Sequence, residues 1–500
     1  MIMGWIALLT LRTKPIVKSN GTEEILQKLW QPATVRKLAR ELADVAAKAL
    51  TVRGRPVRRP RADRLAAQII RRAAKTPDLV SLVRVISEAS LALSHPRYSA
   101  QQVAAPVPAA ALVESVVAAM NQSLAVWEMS PIATAVDRDL MAGFKKLFGY
   151  PRAAEGSLVP GGAFANLTAL LAARDALAPQ ASKTGQARIA IIVGAQAHYS
   201  IARAAAILGL GRDAVFRVPL DAEYCTDVEQ LTQSFASARK AGFRKFILVG
   251  SSGSTPTGSF DNLVALAEIA RKHRAWLHVD AAHGAGLAFS RRFRWRLKGL
   301  SRADSIIFDP HKMMFMPLAA GGVLVRDGAR LSGPLQEQAP YLFGSKRCWP
   351  DLGQLTIACS QRFDALKTWL VWRVYGGELW DHLTTQVCEV AQAAFQYCSE
   401  SKILEPVHEP HSNIFCFQLR RPRDHDSDRH CWAIKEKLNE SGFGYISSTV
   451  LDGRRVLRIV VMNPRTTAGD ICDVLRRVEK IATQTTGGNG IRSGRRSRAS

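Results

Sequence analysis

The sequence predicts an α/β fold in which a mostly parallel sheet is covered on both faces. Short apolar runs at Ile189–Val193, Lys245–Val249, Trp276–Val279 and Ser305–Phe308 are separated by helical patterns such as Ile201–Leu210 and Asp261–His273. That alternation is the signature of strand–helix–strand units. The run Trp276–Val279 ends in Asp280 and then small residues. A carboxylate at the C-terminal end of such a strand faces the crevice where α/β folds hold ligands. The run Ser305–Phe308 enters a turn fixed by Pro310, followed by His311, Lys312 and the apolar Met313-Met314-Phe315-Met316. A chain of 500 residues fits one large α/β domain with smaller additions.

The net charge is +26, from 68 Lys and Arg against 42 Asp and Glu. Such a balance suits nucleic acid, an acidic membrane surface or anionic ligands. No nucleic-acid motif accompanies it, so an arginine-rich surface is the expected reading and nucleic acid is not the expected partner. A basic binding module without catalysis stays as the non-enzyme alternative. The eight cysteines form no Cys-x-x-Cys pair; scattered free thiols suit a reducing compartment, and a cytoplasmic location is expected. Met1–Leu11 is apolar but too short to span a bilayer and lacks the charged start of a signal peptide.

Along the chain, Thr22–Leu50 has helical spacing, Thr51–Arg64 is a connector dense in Arg and Pro, and further helical patterns cover Asp63–Ala74 and Asp78–Leu93. A helix at Thr134–Phe148 closes on Gly149-Tyr150-Pro151. Ser157–Asn166 reads as a strand, a Gly161-Gly162 turn and a helix start, which lets backbone N–H groups approach a phosphate. Gly250–Gly258 is glycine- and serine-rich but lacks the lysine of a P-loop. Gly321–Val325 is a return strand, and the aromatic, Pro-interrupted segment Tyr341–Gln354 is an expected mobile loop. A helix from Cys359 stops at Gly376-Gly377. Helix Leu379–Ser399, strand Ile414–Leu419, helix Cys431–Glu440 and strand Val456–Val461 then make a small α+β domain, and the Gly-, Ser- and Arg-rich tail is expected to be disordered. His408, His411, His425 and His430 show no ligand spacing, and no metal is expected.

The chemistry centres on Lys312. An unpaired ammonium among apolar residues is costly, so such a lysine loses its proton or is used covalently. A neutral amine in a dry pocket is a nucleophile, commonly used to form a Schiff base. An Asp such as Asp280 can hold a pyridinium nitrogen protonated. A snorkelling lysine and a helix-capping aspartate are the alternatives when each residue is taken alone.

Asp309-Pro310-His311-Lys312 after His278-Val279-Asp280-Ala281-Ala282 resembles the group II, pyridoxal-phosphate-dependent amino-acid decarboxylases of fold-type I. The resemblance runs from about His95 into the 470s. It implies a large cofactor domain with a sheet of the seven-stranded type over 96–376, an N-terminal helical dimerisation layer over 1–95, a small domain over 377–484 and a basic tail from 485. It implies a homodimer with its active site near the interface, no membrane association, and decarboxylation of an L-amino acid to an amine and CO2. Lys312, His198 and Asp280 become the catalytic candidates. Gly162, Ala163, His198, Thr255, Asp280, Ala282, Asp309, His311 and Lys312 become cofactor contacts, and Gln101 and Arg458 substrate contacts. Gln101, Gly161-Gly162-Ala163, His198-Tyr199-Ser200 and Arg458 lean towards an acidic substrate: glutamate, aspartate or cysteine sulfinate. An aromatic, diamino or branched-chain substrate is the alternative. The family loop that usually carries a proton-donating tyrosine has none here between Phe343 and Cys359, where Cys348 and Trp349 stand. That departure leaves aldehyde formation open.

Overall fold

The computed structural model describes residues 29–52, 54, 57, 71, 78–343, 350–420 and 427–487. The readings of Met1–Leu11, of the helix over Asp63–Ala74 and of the basic tail, and the placement of Cys348, Trp349 and His425, lie outside the described residues. Twelve strands follow in chain order: β1 (Tyr98–Ser99), β2 (Glu155–Val159), β3 (Ile189–Gly194), β4 (Val215–Val218), β5 (Lys245–Ser251), β6 (Trp276–Asp280), β7 (Ser305–Phe308), β8 (Gly321–Val325), β9 (Leu404–Pro406), β10 (Ile414–Leu419), β11 (Tyr445–Leu451) and β12 (Arg454–Val460).

Seven of them form one sheet in the order β2-β8-β7-β6-β5-β3-β4. All pairings are parallel except those of β8, which runs against β7 and β2. Every residue of β3, β7 and β8 is buried. Near-continuous apolar strands of this kind require cover on both faces. Helices Gly162–Leu177 and Ser200–Ile207 pack on each other, and Val228–Lys240 and Leu263–His273 pack on strands of the sheet. Asp227 caps the helix Val228–Lys240 by accepting from the Glu229 N–H at 2.9 Å, and Asn262 caps Leu263–His273 through Ala265 N–H at 3.2 Å.

A five-stranded sheet, β1-β11-β12-β10-β9, makes the second layer. Tyr98 belongs to it: β1 pairs in parallel with β11, and Tyr98 stacks on Tyr445 at 5.5 Å. The resemblance puts 96 onwards in the large domain; Tyr98 and Ser99 of that stretch pair with the small sheet. Pairing between residues so far apart in the chain leaves no local periodicity to read. The helix Ala365–Glu400 links the two sheets and is broken at Gly376 (φ 67°, ψ −176°), where the Gly376-Gly377 stop falls. A side chain at that φ would be strained. Buried residues of both sheets, including Ile306, Phe308, Phe415 and Ile459, share one continuous core.

The N-terminal helices differ from the rest. Pro32–Leu50 buries only Val45, and Leu79–Ala89 only Val80. Trp30, Val35, Leu79 and Ile86 are exposed.

Lys367, on the helix Ala365–Glu400, is fully buried. Its ammonium meets Glu114 at 2.5 Å, the Ala319 carbonyl at 3.0 Å and Asp364 at 3.2 Å. Removing one side of such a cluster strands the remaining charges. Lys367→Met should therefore cost about 3 kcal/mol, read as a lower unfolding midpoint; an unchanged midpoint would remove the cluster from the list of stabilising contacts.

Candidate active site

Parallel strands deliver their C-terminal ends to one edge, and the functional side chains collect there. β2 leads into Gly161-Gly162, β3 towards His198, β5 into Ser251–Thr255, β6 ends at Asp280, and β7 leads to Asp309–Lys312. A cavity of about 370 Å³ lies at this edge. Gly162, Ala163, His198, Thr255, Asp280, Ala282, Asp309, His311 and Lys312 all line it, so the residues singled out as cofactor contacts meet in one place. Gln101 and Arg458 do not line it. Gln101 is exposed, and Arg458 is buried on β12 in the small sheet.

Backbone geometry shapes one wall. Gly161 has φ 154° and precedes the helix Gly162–Leu177, which has no side-chain cap. Its leading N–H groups are therefore available to an anion. The approach is close: a Cβ on Gly321 would stand 2.6 Å from the Gly161 Cα, and a Cβ on Gly162 would stand 2.8 Å from Asp309 Oδ2. Lys312 Nζ lies 3.3 Å from Asp309 Oδ2, and His311 Nε2 lies 3.6 Å from the same oxygen. Asp309 Oδ1 is buried without a hydrogen-bond partner among the described residues.

On the opposite side, Asp280 Oδ1 accepts from the Ala282 N–H at 3.1 Å, and Oδ2 accepts from Asn166 Nδ2 at 2.9 Å. Burial holds the His198 pKa below its usual value despite the nearby Asp280 carboxylate. Its ring lies 4.2 Å from that of Tyr199. His283, which also lines the cavity, donates from Nε2 to Asn413 Oδ1 at 2.7 Å. The direction follows because Asn413 Nδ2 is committed to the Val461 carbonyl at 2.7 Å. Burial first, and then the Lys312 charge, push the His283 pKa down to about 3; Arg458 acts in the same direction, so its charge reaches this wall.

Asn166, Ser251, Ser254 and His283 also line the cavity and did not emerge from the sequence reading. Asn166 stands with Thr168 as the polar residues of the run Phe164–Leu171, and only its longer amide could have marked it.

The pyridoxal-dependent decarboxylase conserved domain matches residues 65–420. An L-2,4-diaminobutyrate decarboxylase of Rhizobium meliloti (strain 1021) is 33% identical over 413 residues, covering 81% of this chain and 82% of that protein. The chain belongs to the pyridoxal-dependent decarboxylase family. A cysteine sulfinic acid decarboxylase of Rattus norvegicus is 29% identical, covering 80% of this chain and 84% of its own length. The crystal structure of mouse CSAD superposes with a TM-score of 0.83 at 26% identity, over 90% of this chain and 99% of that one.

This decarboxylase is thus a carboxy-lyase that uses pyridoxal phosphate to remove CO2 from an amino acid. The non-catalytic reading of its basic charge falls away. Its cavity fits the cofactor: an uncapped helix start and closely packed glycines can take a phosphate, a carboxylate can take a ring nitrogen, and a lysine amine can take an aldehyde. Among the described residues no helix is long and apolar enough to cross a membrane, and no cluster of potential metal ligands is present.

His283 sets a pH dependence. Its folded pKa of about 3 lies below the ordinary 6.5, so between those values the unfolded chain binds more protons. Its contribution to stability is full above pH 6.5 and is lost as pH falls towards 3. Relative to His283→Gln, the wild type should lose ~1.4 kcal/mol per pH unit over that window. Unfolding midpoints of both proteins across pH 4–8 check this; a constant difference would contradict it.

Proposed function

We propose that this decarboxylase acts on an acidic L-amino acid, with Lys312 as the cofactor-holding amine. The observation that carries the substrate reading is the charge of Arg458, which lies outside the cavity lining but acts on His283 in its wall. Both oxygens of Asp280 are taken, by Asn166 and Ala282, while Asp309 meets Lys312 and His311 through Oδ2 alone. Arg458, by contrast, is a buried guanidinium whose Nε has no hydrogen-bond partner among the described residues, and the charges acting on it come from Cys416 and Tyr98, not from a carboxylate. A buried arginine in that state suits an arriving carboxylate, which it can hold in a bidentate fork. Relatives named as cysteine sulfinic acid decarboxylases and as an acidic amino acid decarboxylase agree with this reading. The diaminobutyrate relative is the observation favouring a diamino acid as the second reading.

In this proposal the cofactor, when bound, supplies a ring that accepts the electron pair released as the bond from Cα to the carboxylate breaks. Asp280 keeps the ring nitrogen protonated. The N–H groups of the helix start at Gly162 and Ala163 hold the phosphate, with Thr255, Asp309 and His311 close by. His198 and Ala282, which both line the cavity, would flank the ring. Gln101 and Arg458 orient the substrate from the small-sheet side. Tyr341 is 91% exposed and does not line the cavity.

The exposed apolar faces of Pro32–Leu50 and Leu79–Ala89 support a homodimer, in which a second copy would cover Trp30, Leu79 and Ile86. The division into an N-terminal layer to 95, a cofactor domain to 376 and a small domain to 484 is part of the same proposal. So is a cytoplasmic site of action, in keeping with the free thiols of Cys225, Cys359, Cys388, Cys398, Cys416, Cys431 and Cys472.

Two measurements test the proposal. Lys312→Ala should lose the visible absorbance of the bound cofactor, and an unchanged spectrum would end the assignment. Incubation with a panel of amino acids, with CO2 and products identified by mass, should show turnover of glutamate, aspartate or cysteine sulfinate. Turnover of 2,4-diaminobutyrate alone would establish the second reading, and aldehyde in place of amine would redefine the product.

A further inference from the structure

From Asn166 in the cavity wall a chain of buried polar side chains runs into the interior. Asn166, Ser200, His278 and Ser305 are each no more than 1% exposed. Asn166 Nδ2 lies 2.9 Å from Asp280 Oδ2 and 2.9 Å from Ser200 Oγ, and its Oδ1 lies 2.8 Å from His278 Nε2. His278 Nδ1 lies 2.9 Å from Ser305 Oγ, which also receives Trp276 Nε1–H at 2.9 Å. Ser200 Oγ lies 2.7 Å from His198 Nδ1.

The direction of every bond in this chain is determined. A carboxylate only accepts, so the amide nitrogen of Asn166, not its oxygen, faces Asp280. The oxygen then faces His278, which must carry its proton on Nε2. A neutral ring protonated on Nε2 has only a lone pair at Nδ1, so His278 Nδ1 accepts the Ser305 hydroxyl hydrogen, and the Ser305 oxygen accepts the indole N–H. Burial keeps His278 neutral, its pKa pushed down to about 4. At the other end, the second Asn166 N–H goes to Ser200 Oγ, and the Ser200 hydroxyl hydrogen goes to His198 Nδ1. A separate contact agrees: the Ser200 backbone N–H points at the same His198 Nδ1 from 3.3 Å. A backbone N–H can only donate, so Nδ1 is an acceptor and the His198 proton sits on Nε2.

We propose that Asn166 is the positioning residue that locks Asp280 and His198 together, using its two N–H bonds to fix the carboxylate at one edge of the cofactor ring and the Nε2–H tautomer of the histidine over its face. Trp276, Ser305 and His278 anchor the amide so that it cannot turn over. The inference rests on the reading that Asp280 and His198 face the cofactor. Under it, His198 enters the reaction as a neutral, fixed hydrogen-bond donor and not as a base at Nε2.

The test uses holoenzyme reconstituted with pyridoxal phosphate, reading cofactor affinity and the visible absorbance and circular dichroism of the bound ring. Asn166→Asp keeps the shape and the acceptor for His278 but turns an acceptor towards Asp280 and Ser200. It should weaken cofactor binding about ten- to hundred-fold, the range for a hydrogen bond to a charged group, and change the circular dichroism. His278→Gln places an amide N–H near the lost Nε2–H and should keep most of the wild-type affinity, whereas His278→Leu should not. Apo-protein unfolding midpoints identify any variant that fails to fold, and the comparison then runs on Asn166→Ser. Wild-type affinity and spectrum in folded Asn166→Asp or Asn166→Ser would overturn the inference. Lys312→Ala separates the two levels: if it loses the cofactor absorbance while the Asn166 variants do not change, only the role of Asn166 fails.

Discussion

The whole arrangement depends on the parallel register of three neighbouring strands. Ser251 of β5 pairs with Asp280 of β6, and Asp280 pairs with Ile307 of β7. The three strands therefore end level, and whatever follows each one enters the same crevice. Lys312 arrives there through a tight turn in which its N–H donates to the Asp309 carbonyl at 2.9 Å. The residues after it, Met313 to Met316, are at most 1% exposed. They pin the turn into the core so that the lysine has one place to go. Its ammonium meets Asp309, which offsets the cost of holding a charge among apolar residues.

The second layer adds a different kind of group. Every residue proposed as a cofactor contact ends or follows a strand of the large sheet, while Arg458 sits on the small one. The two layers are not free of each other. They share a core, β1 ties the N-terminal side of the chain to β11, and the His283–Asn413 bond joins the cavity wall to the chain entering β10. A substrate held at the junction would touch chemistry from one sheet and selectivity from the other.

Much of this was legible in the sequence because it is local. Ser305–Phe308, Gly321–Val325 and Ile414–Leu419 are apolar runs bounded by turn residues, and the strands occupy those residues. Asp280 and Lys312 could be read because each stands at a strand end. What escaped depends on distance. β4 is short, and its Phe216 and Arg217 give no clean alternation. β1 is two residues long and exists only through a partner far along the chain. Asn166 and His278 look like ordinary interior residues of a helix and a strand; their meaning comes from a contact across 112 positions. Sequence periodicity carries no information about such pairs.

The central claim is that one lysine at the carboxyl edge of the sheet carries the cofactor. Borohydride reduction of the holoenzyme, followed by proteolysis and peptide mass analysis, tests it most directly. The pyridoxyl phosphate mass should appear on the peptide containing Lys312. Its recovery on any other lysine, with Lys312 unmodified, would contradict the account.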